Sequence, residues 1–553
     1  MGKSISCLLV SYAGMPYTAS CFFLDNGLAD LAGILLKHGH SVKILDYNTP
    51  EIVEYVLKNN PAIKNALGNL NKKYKDRENL EMVQKEHLIL QESIDRQLQF
   101  YNKVLYEYIK KEIIVRKLEY VGFKLWIGRG VETIVNIVAD LRKEFPKVKF
   151  FAGGPAATLF YKYINHLEVF DAVTLGEGEN VILQIAEYVS GERALEEIES
   201  IVYLKNGKMM KNDRIHDYPL DETIFPVYDQ EIYPAAHERN KKIRVVTLDE
   251  SRGCKNKCAF CTHSLLGGCR VKELSINALR NIINYCCETL HTKAFNLGGS
   301  CVPGKLLEEI ARMNIEDHRH ILYNCFSNVN DLLGCDLKTI HEGGLFSVFL
   351  GIESFHQDIL TKDYNKYLNL NDAAHIIRSA LKENIYTTCS FIYPAPHENE
   401  ETRNFTKNTI ISLLKNQPGA AAVIFYPGLM PGSRWSENPE RYLIEAEDLE
   451  SHFRSLVSCE IRHYLPTSYW DVYDYKLGGV SQKEAALLSD EFARELEKEG
   501  VNINVMGDTA LLAEFLRKDA GSVGDRLKQI FSEMDYEGMY TFIEEANQGI
   551  MSY

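Results

Sequence analysis

The sequence predicts an α/β protein: an N-terminal doubly wound, flavodoxin- or Rossmann-like parallel sheet, then an open barrel of six βα units, then a mainly helical C-terminal region. Three observations predict it. Apolar strand patterns alternate with amphipathic helix patterns through short, Gly-bearing loops up to about residue 190. The alternation restarts near Lys242 and runs through six further strand patterns. From about Ser436 onward, helical patterns dominate.

Ser4 to Ser11 reads as the first strand. Gly27 to His38 follows as a helix with Leu28, Leu31, Ile34 and Leu35 on one face, and Gly39 is a natural C-terminal cap. Ser41 to Tyr47 is the second strand. Residues 51–120 are charged and poor in strand formers, which predicts a helical insertion. The alternation then resumes with strand Phe123–Ile127, helix Val131–Phe145, strand Val148–Ala152 and a Gly153-Gly154-Pro155 turn. Strand Ala172–Leu175, the loop Gly176-Glu177-Gly178-Glu179 and helix Asn180–Val189 complete the series. A ligand of such a sheet sits beyond the carboxyl ends of its strands. A strand pair, Ser200–Leu204 with Lys208–Asn212, closes a domain of residues 1–215, and residues 216–240, with Pro219 and Pro226, read as a linker.

The second series occupies residues 241–435, with strands Ile243–Leu248, Ala294–Leu297, Ile321–Phe326, Ser347–Gly351, Thr387–Tyr393 and Ala421–Tyr426. Barrel chemistry belongs at the carboxyl ends of these strands. Residues 436–553 are expected to form a helical domain or cap, in which Tyr464, Tyr469, Trp470, Tyr473 and Tyr475 form an aromatic group fit for a pocket wall or for packing.

Composition narrows the function. The chain of 553 residues is 45% hydrophobic and 25% charged, with a formal net charge of −14. That balance suits a globular enzyme and speaks against non-specific nucleic-acid binding, which needs a basic footprint. No apolar run has the length of a membrane span, and Ser, Gly and Tyr break up the N-terminal apolar stretch too early for a secretory signal. Met1-Gly2 fits the loose myristoylation pattern, but Ile5 to Val10 reads more simply as a strand. The expected location is cytoplasmic. Thirteen cysteines in such a chain point to metal binding, catalysis or burial rather than a disulfide framework.

One loop concentrates that chemistry: Ser251-Arg252-Gly253-Cys254-Lys255-Asn256-Lys257-Cys258-Ala259-Phe260-Cys261. Iron–sulfur cubes are usually held by four thiolates. Three thiolates leave one iron open to a chelating ligand, as a catalytic zinc site keeps an open position. The alternative is a zinc site completed by Cys269 or His263. The spacing Cys-x3-Cys-x2-Cys, directly after a strand that opens an α/β series, favours the [4Fe–4S] cluster.

With Phe260 before its last cysteine, this loop resembles the signature of the radical S-adenosylmethionine (SAM) superfamily. The resemblance implies that SAM chelates the open iron. It assigns Phe260, Gly298, Gly299, Ser300, Glu353 and Ser354 to the SAM site: Gly298-Gly299-Ser300 stands where the family often has Gly-Gly-Glu for the SAM amino group, and Gly351-Ile352-Glu353-Ser354 resembles a motif near the ribose and methionyl part. Ser300 replaces the acidic residue, which leaves that contact to backbone carbonyls. Asn365-Lys366, Tyr393-Pro394-Ala395-Pro396 and Pro431-Gly432-Ser433 stand at family-like positions. The N-terminal order Gly27-Leu28-Ala29-Asp30, Gly39-His40-Ser41-Val42, Gly153-Gly154-Pro155-Ala156 and Gly176-Glu177-Gly178-Glu179 resembles the cobalamin-binding domain of the B12-dependent subfamily. It implies cobalamin held near Tyr12, Gly153, Gly154, Gly176, Glu177 and Gly178. The loop Ser11 to Tyr17 lacks Asp-x-His-x-x-Gly, so no histidine there serves as a lower axial ligand.

The resemblance implies a C-methyltransferase: methylcobalamin made from one SAM, a second SAM cleaved to a 5′-deoxyadenosyl radical, and a substrate radical that takes the methyl group. Its implied partners are a small-molecule or peptide-derived substrate and an external electron donor of flavodoxin or ferredoxin type. Two rivals stand beside it: a radical cyclase, rearrangement or oxidation enzyme without methyl transfer, and a metal-binding or electron-transfer protein without SAM turnover. Cys301 and Cys325 at strand ends are candidate thiols, and His397, Glu398 and Glu400 candidate proton-handling groups; burial or a solvated loop is the plainer reading for each.

Overall fold

The computed structural model describes residues 3–75, 80–128, 130–163, 168–213, 218–458 and 474–553. They form two compact units. One is built mostly from the chain up to Ile243, the other mostly from Arg244–His452.

The first unit holds strands β1 (Ser6–Tyr12), β2 (Ser41–Asp46), β3 (Tyr120–Leu125), β4 (Lys149–Gly153), β5 (Ala172–Thr174), β6 (Ile201–Lys205) and β7 (Lys208–Lys211) in the order β2-β1-β3-β4-β5-β6-β7. β1 to β5 are parallel, and β6 and β7 add antiparallel edges. β1 is apolar and buried almost throughout, as a strand covered on both faces must be. The strand order reverses between β1 and β3, the topological switch point of a flavodoxin-like sheet. Helix α1 (Asn26–Lys37) starts where Asp25 accepts the Leu28 amide at 3.0 Å. The insertion consists of α2 (Glu51–Asn59), α3 (Ala62–Lys75) and α4 (Leu80–Arg116). After it come α5 (Gly130–Glu144), α6 (Pro155–Phe160) and α7 (Glu179–Ser190).

The expected linker is not a free connector. Tyr228 and Tyr233 are fully buried and stacked, with ring centres 6.0 Å apart. The Tyr233 hydroxyl bonds the Asp46 carboxylate, and the Ile44 amide donates to the Ile232 carbonyl at 2.8 Å. Two large aromatic rings gained more by covering β2 than by staying in solvent.

The second unit holds β8 (Val245–Leu248), β9 (Ala294–Leu297), β10 (Leu322–Ser327), β11 (Leu345–Glu353), β12 (Tyr386–Ile392) and β13 (Ala420–Phe425). They pair in chain order, all parallel, as an open six-stranded sheet. Residues 436–553, expected as one helical domain or cap, divide between the units. Helix Gly507–Phe515 docks on the barrel, where the Ser347 hydroxyl donates to the Gly507 carbonyl at 3.1 Å and Thr388 to the Val505 carbonyl at 3.2 Å. Farther along, Phe531 stacks on Phe22 at 5.9 Å and the Tyr540 hydroxyl bonds Glu54 at 2.6 Å, both in the first unit. Of the aromatic group, Tyr464, Tyr469, Trp470 and Tyr473 lie outside the described residues; Tyr475 is buried against the Pro427 carbonyl. Among the described residues no helix is long and apolar enough to cross a membrane.

Candidate active site

The cysteine loop leaves β8 and is shaped by backbone contacts. Gly253 has φ +90°, and a side chain there would meet the Arg270 carbonyl oxygen 2.1 Å from its Cβ. The Cys254 amide then bonds the Gly268 carbonyl at 3.1 Å. Farther on, the Ala259 amide donates to the Tyr364 carbonyl at 2.8 Å, and the Trp435 amide to the Ala259 carbonyl at 3.1 Å. Phe260 stands edge-on to Tyr364 (5.7 Å) and Trp435 (6.0 Å), whose indole N–H bonds the Asp363 carbonyl at 2.9 Å. This aromatic cluster anchors the loop from behind.

Cys254, Cys258 and Cys261 are half-buried free thiols that border a single cavity of about 460 Å³. Phe260, Ser300 and Glu353 line it too, so the structure brings together six sequence-predicted residues. Among the described residues no three His, Cys, Asp or Glu side chains converge on one point as they would on a single ion. Three free thiols on one cavity are the ligand number a cube takes when one of its irons is left open. Cys269 is exposed, and His263 turns to Ser300 (Nδ1 to Oγ, 3.2 Å) while its amide donates to the Cys261 sulfur at 3.4 Å.

Glu353 reaches the cavity through strained backbone. Its φ is +68°, and the β11–β12 register shifts between Gly351 and Glu353. The carboxylate is bound by Lys366 Nζ at 2.8 Å and by the Ser390 hydroxyl at 2.9 Å, and both partners line the cavity. Burial opposes the charge on Lys366, but the neighbouring carboxylate more than offsets it and the ammonium is held above its usual range. Burial pushes the Cys258 thiol up to about 11, against the pull of Lys366. Cys301 also borders the cavity: Asn328 donates to its sulfur at 2.7 Å, and burial pushes its thiol up to about 12.

Several expectations change. Ser354 does not line the cavity; its hydroxyl pairs with Thr406 at 3.1 Å and accepts the His356 amide, because the turn that swings Glu353 inward sends the next side chain outward. Gly298 and Gly299 form the turn behind Ser300 rather than the wall itself. Cys325 is buried and faces away. His397 is tied to Asp363 through both its ring and its amide, and Glu398 to the Ala395 amide and Thr402. The reading missed Asn328 and Ser390 as lining residues, and named His263 only as a ligand of the alternative zinc site. Ser390 left one trace, a polar residue at an inward position of an otherwise buried strand.

In the first unit the expected cobalamin residues gather at one sheet edge. Gly153 and Gly154 follow β4, and Gly176, Glu177 and Gly178 follow β5, all at carboxyl ends. Gly154 and Gly176 have left-handed backbone, and the Gly176 amide donates to Thr158 at 2.8 Å, so tight turning accounts for both. Tyr12 is 1% exposed; it packs in the core and lines no open surface. Sequence reading missed a polar network at the β1/β3 switch point. Ser11 accepts from Asn48 (2.8 Å) and the Trp126 indole (3.1 Å) and donates to Asp25 (3.1 Å). Lys124 pairs with Asp25 at 2.7 Å and lies over the Trp126 ring.

A flavodoxin-like sheet followed in the chain by an open six-stranded parallel sheet, with a three-cysteine loop after its first strand, is a fold shared with two solved structures. The radical SAM methyltransferase TsrM of Kitasatospora setae, with cobalamin and a [4Fe–4S] cluster bound, superposes with a TM-score of 0.62 at 12% identity, over 99% of this chain and 100% of TsrM. OxsB, a cobalamin-dependent SAM radical enzyme with aqua-cobalamin and SAM bound, gives 0.55 at 12% identity over 92% of this chain and 62% of its own. By sequence, an uncharacterized methyltransferase of Pyrococcus horikoshii is 26% identical over 270 residues, 48% of this chain and 58% of its own. The cytidylyl-2-hydroxyethylphosphonate methyltransferase of Streptomyces wedmorensis is 25% identical over 300 residues, 45% and 53% respectively. The chain spans about half the length of these curated relatives. No family model matches it.

Proposed function

We propose that the chain is a cobalamin-dependent radical SAM enzyme that methylates an unactivated carbon of a small-molecule or peptide-derived substrate. The observation that carries this reading is the convergence of Cys254, Cys258 and Cys261 with Ser300, Glu353 and Lys366 on one cavity at the carboxyl ends of the barrel strands. The thiols are the ligand set for a [4Fe–4S] cluster, which when bound supplies the electron that cleaves SAM, while cobalamin supplies the methyl group. The protein's own part is positional. The aromatic cluster behind Phe260 fixes the loop, Lys366 provides a buried positive charge for a carboxylate, and Glu353 with Ser390 provides acceptors and a hydroxyl for hydroxyls and amines. The apolar side, with Phe326, Phe349 and Met506, limits water at the reacting end. Cobalamin is assigned to the β1/β3 switch-point edge of the first sheet, with Gly153, Gly154, Gly176, Glu177 and Gly178 beside it. An external one-electron donor of flavodoxin or ferredoxin type completes the reading.

The test is anaerobic reconstitution with iron, sulfide and cobalamin, followed by assay of 5′-deoxyadenosine and product mass. Release of 5′-deoxyadenosine with a product heavier by one CH₂ is expected. Release with an isomerised or dehydrogenated product reassigns the enzyme to cyclisation, rearrangement or oxidation. Absence of 5′-deoxyadenosine from protein with an intact cluster refutes reductive cleavage of SAM and with it the radical mechanism.

A further inference from the structure

Glu250, two residues beyond the end of β8, is fully buried and has no cationic partner among the described contacts. The nearest carboxylate, Asp249, already pairs with Arg252. The thiol of Cys325 adds no positive charge. A buried acid without a counter-ion is costly, and an apolar residue would serve stability better. What the carboxyl group does make is two hydrogen bonds. It accepts the Ser251 hydroxyl at 2.7 Å and the Gly299 amide at 3.2 Å. Contact with the turn is close: a Cβ on Gly299 would lie 2.1 Å from Glu250 Oε1 and 2.2 Å from Ser251 Oγ. Gly299 is therefore clamped from beneath, and the next residue, Ser300, emerges on the cavity wall between His263 and Cys301. Burial pushes this carboxyl up to about 8, so it is a neutral acid at neutral pH, which suits a group that holds an amide rather than a cation.

We propose that Glu250 is a positioning residue for the amino-acid end of SAM: it holds the Gly298-Gly299 turn in place so that the oxygens of Ser300, the turn residue on the cavity wall, receive the cofactor's ammonium group. This rests on the radical SAM reading of the cavity. The ammonium contact then falls to Ser300's oxygens rather than to an acidic side chain at position 300, with Glu250 fixing the turn from behind.

The test uses two probes on anaerobically reconstituted full-length protein. S-adenosylhomocysteine carries the amino-acid end; 5′-methylthioadenosine lacks it. Affinities are measured by equilibrium dialysis, with iron content and circular dichroism as controls. Glu250→Ala should weaken S-adenosylhomocysteine by about tenfold, the cost of leaving one buried amide unpaired, and leave 5′-methylthioadenosine unchanged. Glu250→Gln, which keeps an acceptor for Gly299, should restore wild-type binding of both. Unchanged S-adenosylhomocysteine affinity in Glu250→Ala, equal loss of both probes, or a Glu250→Gln variant as weak as the alanine overturns the assignment. Wild-type protein that binds neither probe overturns the radical SAM reading itself.

Discussion

Two buried acids in the barrel unit have different partners. Glu353 shares its cavity with Lys366, and the side chains of the pair are 7% and 15% exposed. Removing the cation alone, in Lys366→Met, strands a buried carboxylate; destabilisation of about 3 kcal/mol is expected in urea melts, and a loss near zero would contradict the pairing. Glu250 has no cation, and its carboxyl lies at about 8 against an ordinary 4.5. Between those values the unfolded chain has released a proton that the folded chain keeps. Stability contributed by this group therefore falls as pH rises across the window and is level above it. Glu250→Gln removes that slope. Its advantage over wild type should grow between about pH 5 and about pH 8, on the order of 5 kcal/mol at most; parallel pH profiles would show that Glu250 ionises normally.

At the scale of elements, the cysteine loop depends on a segment far away in sequence. Trp435 is fully buried, touches Phe260 and Tyr364 and bonds the Asp363 carbonyl. Trp435→Ala should cost about 3–5 kcal/mol and lower the iron retained per chain. Trp435→Phe, which loses the indole bond but little volume, should cost about 1 kcal/mol and keep the iron. The loop and the six barrel strands were legible in sequence because their signals are local: spacing, alternation and turn residues. Glu353 was placed at the site by the resemblance, but the left-handed backbone at a non-glycine residue that turns it inward was not legible, nor was the turning away of Ser354 that comes with it. Tyr12, expected at the ligand edge, is buried: a residue at a strand's carboxyl end points either to that edge or into the core, and pattern alone does not decide which.

At the scale of the molecule, two α/β units were foreseen and their membership was not. Amphipathic helices announce that they will pack, not on which sheet, so the single C-terminal domain expected from residues 436–553 is divided between the units. The expected linker shows the same limit: Tyr233 joins Asp46 and Lys242, whose side chains are fully buried and 2.8 Å apart. Lys242→Met should destabilise the chain by about 3 kcal/mol, visible in the melting midpoint, whereas an exposed connector would tolerate it.

The account rests on three sulfurs sharing one cluster with an iron left open. Electron paramagnetic resonance of the reconstituted, reduced protein tests this directly. About four irons per chain and a cluster signal that shifts when SAM is added are expected, with both lost when Cys254, Cys258 and Cys261 are all changed to alanine. One tightly held zinc per chain, or a cluster whose signal ignores SAM, would contradict it.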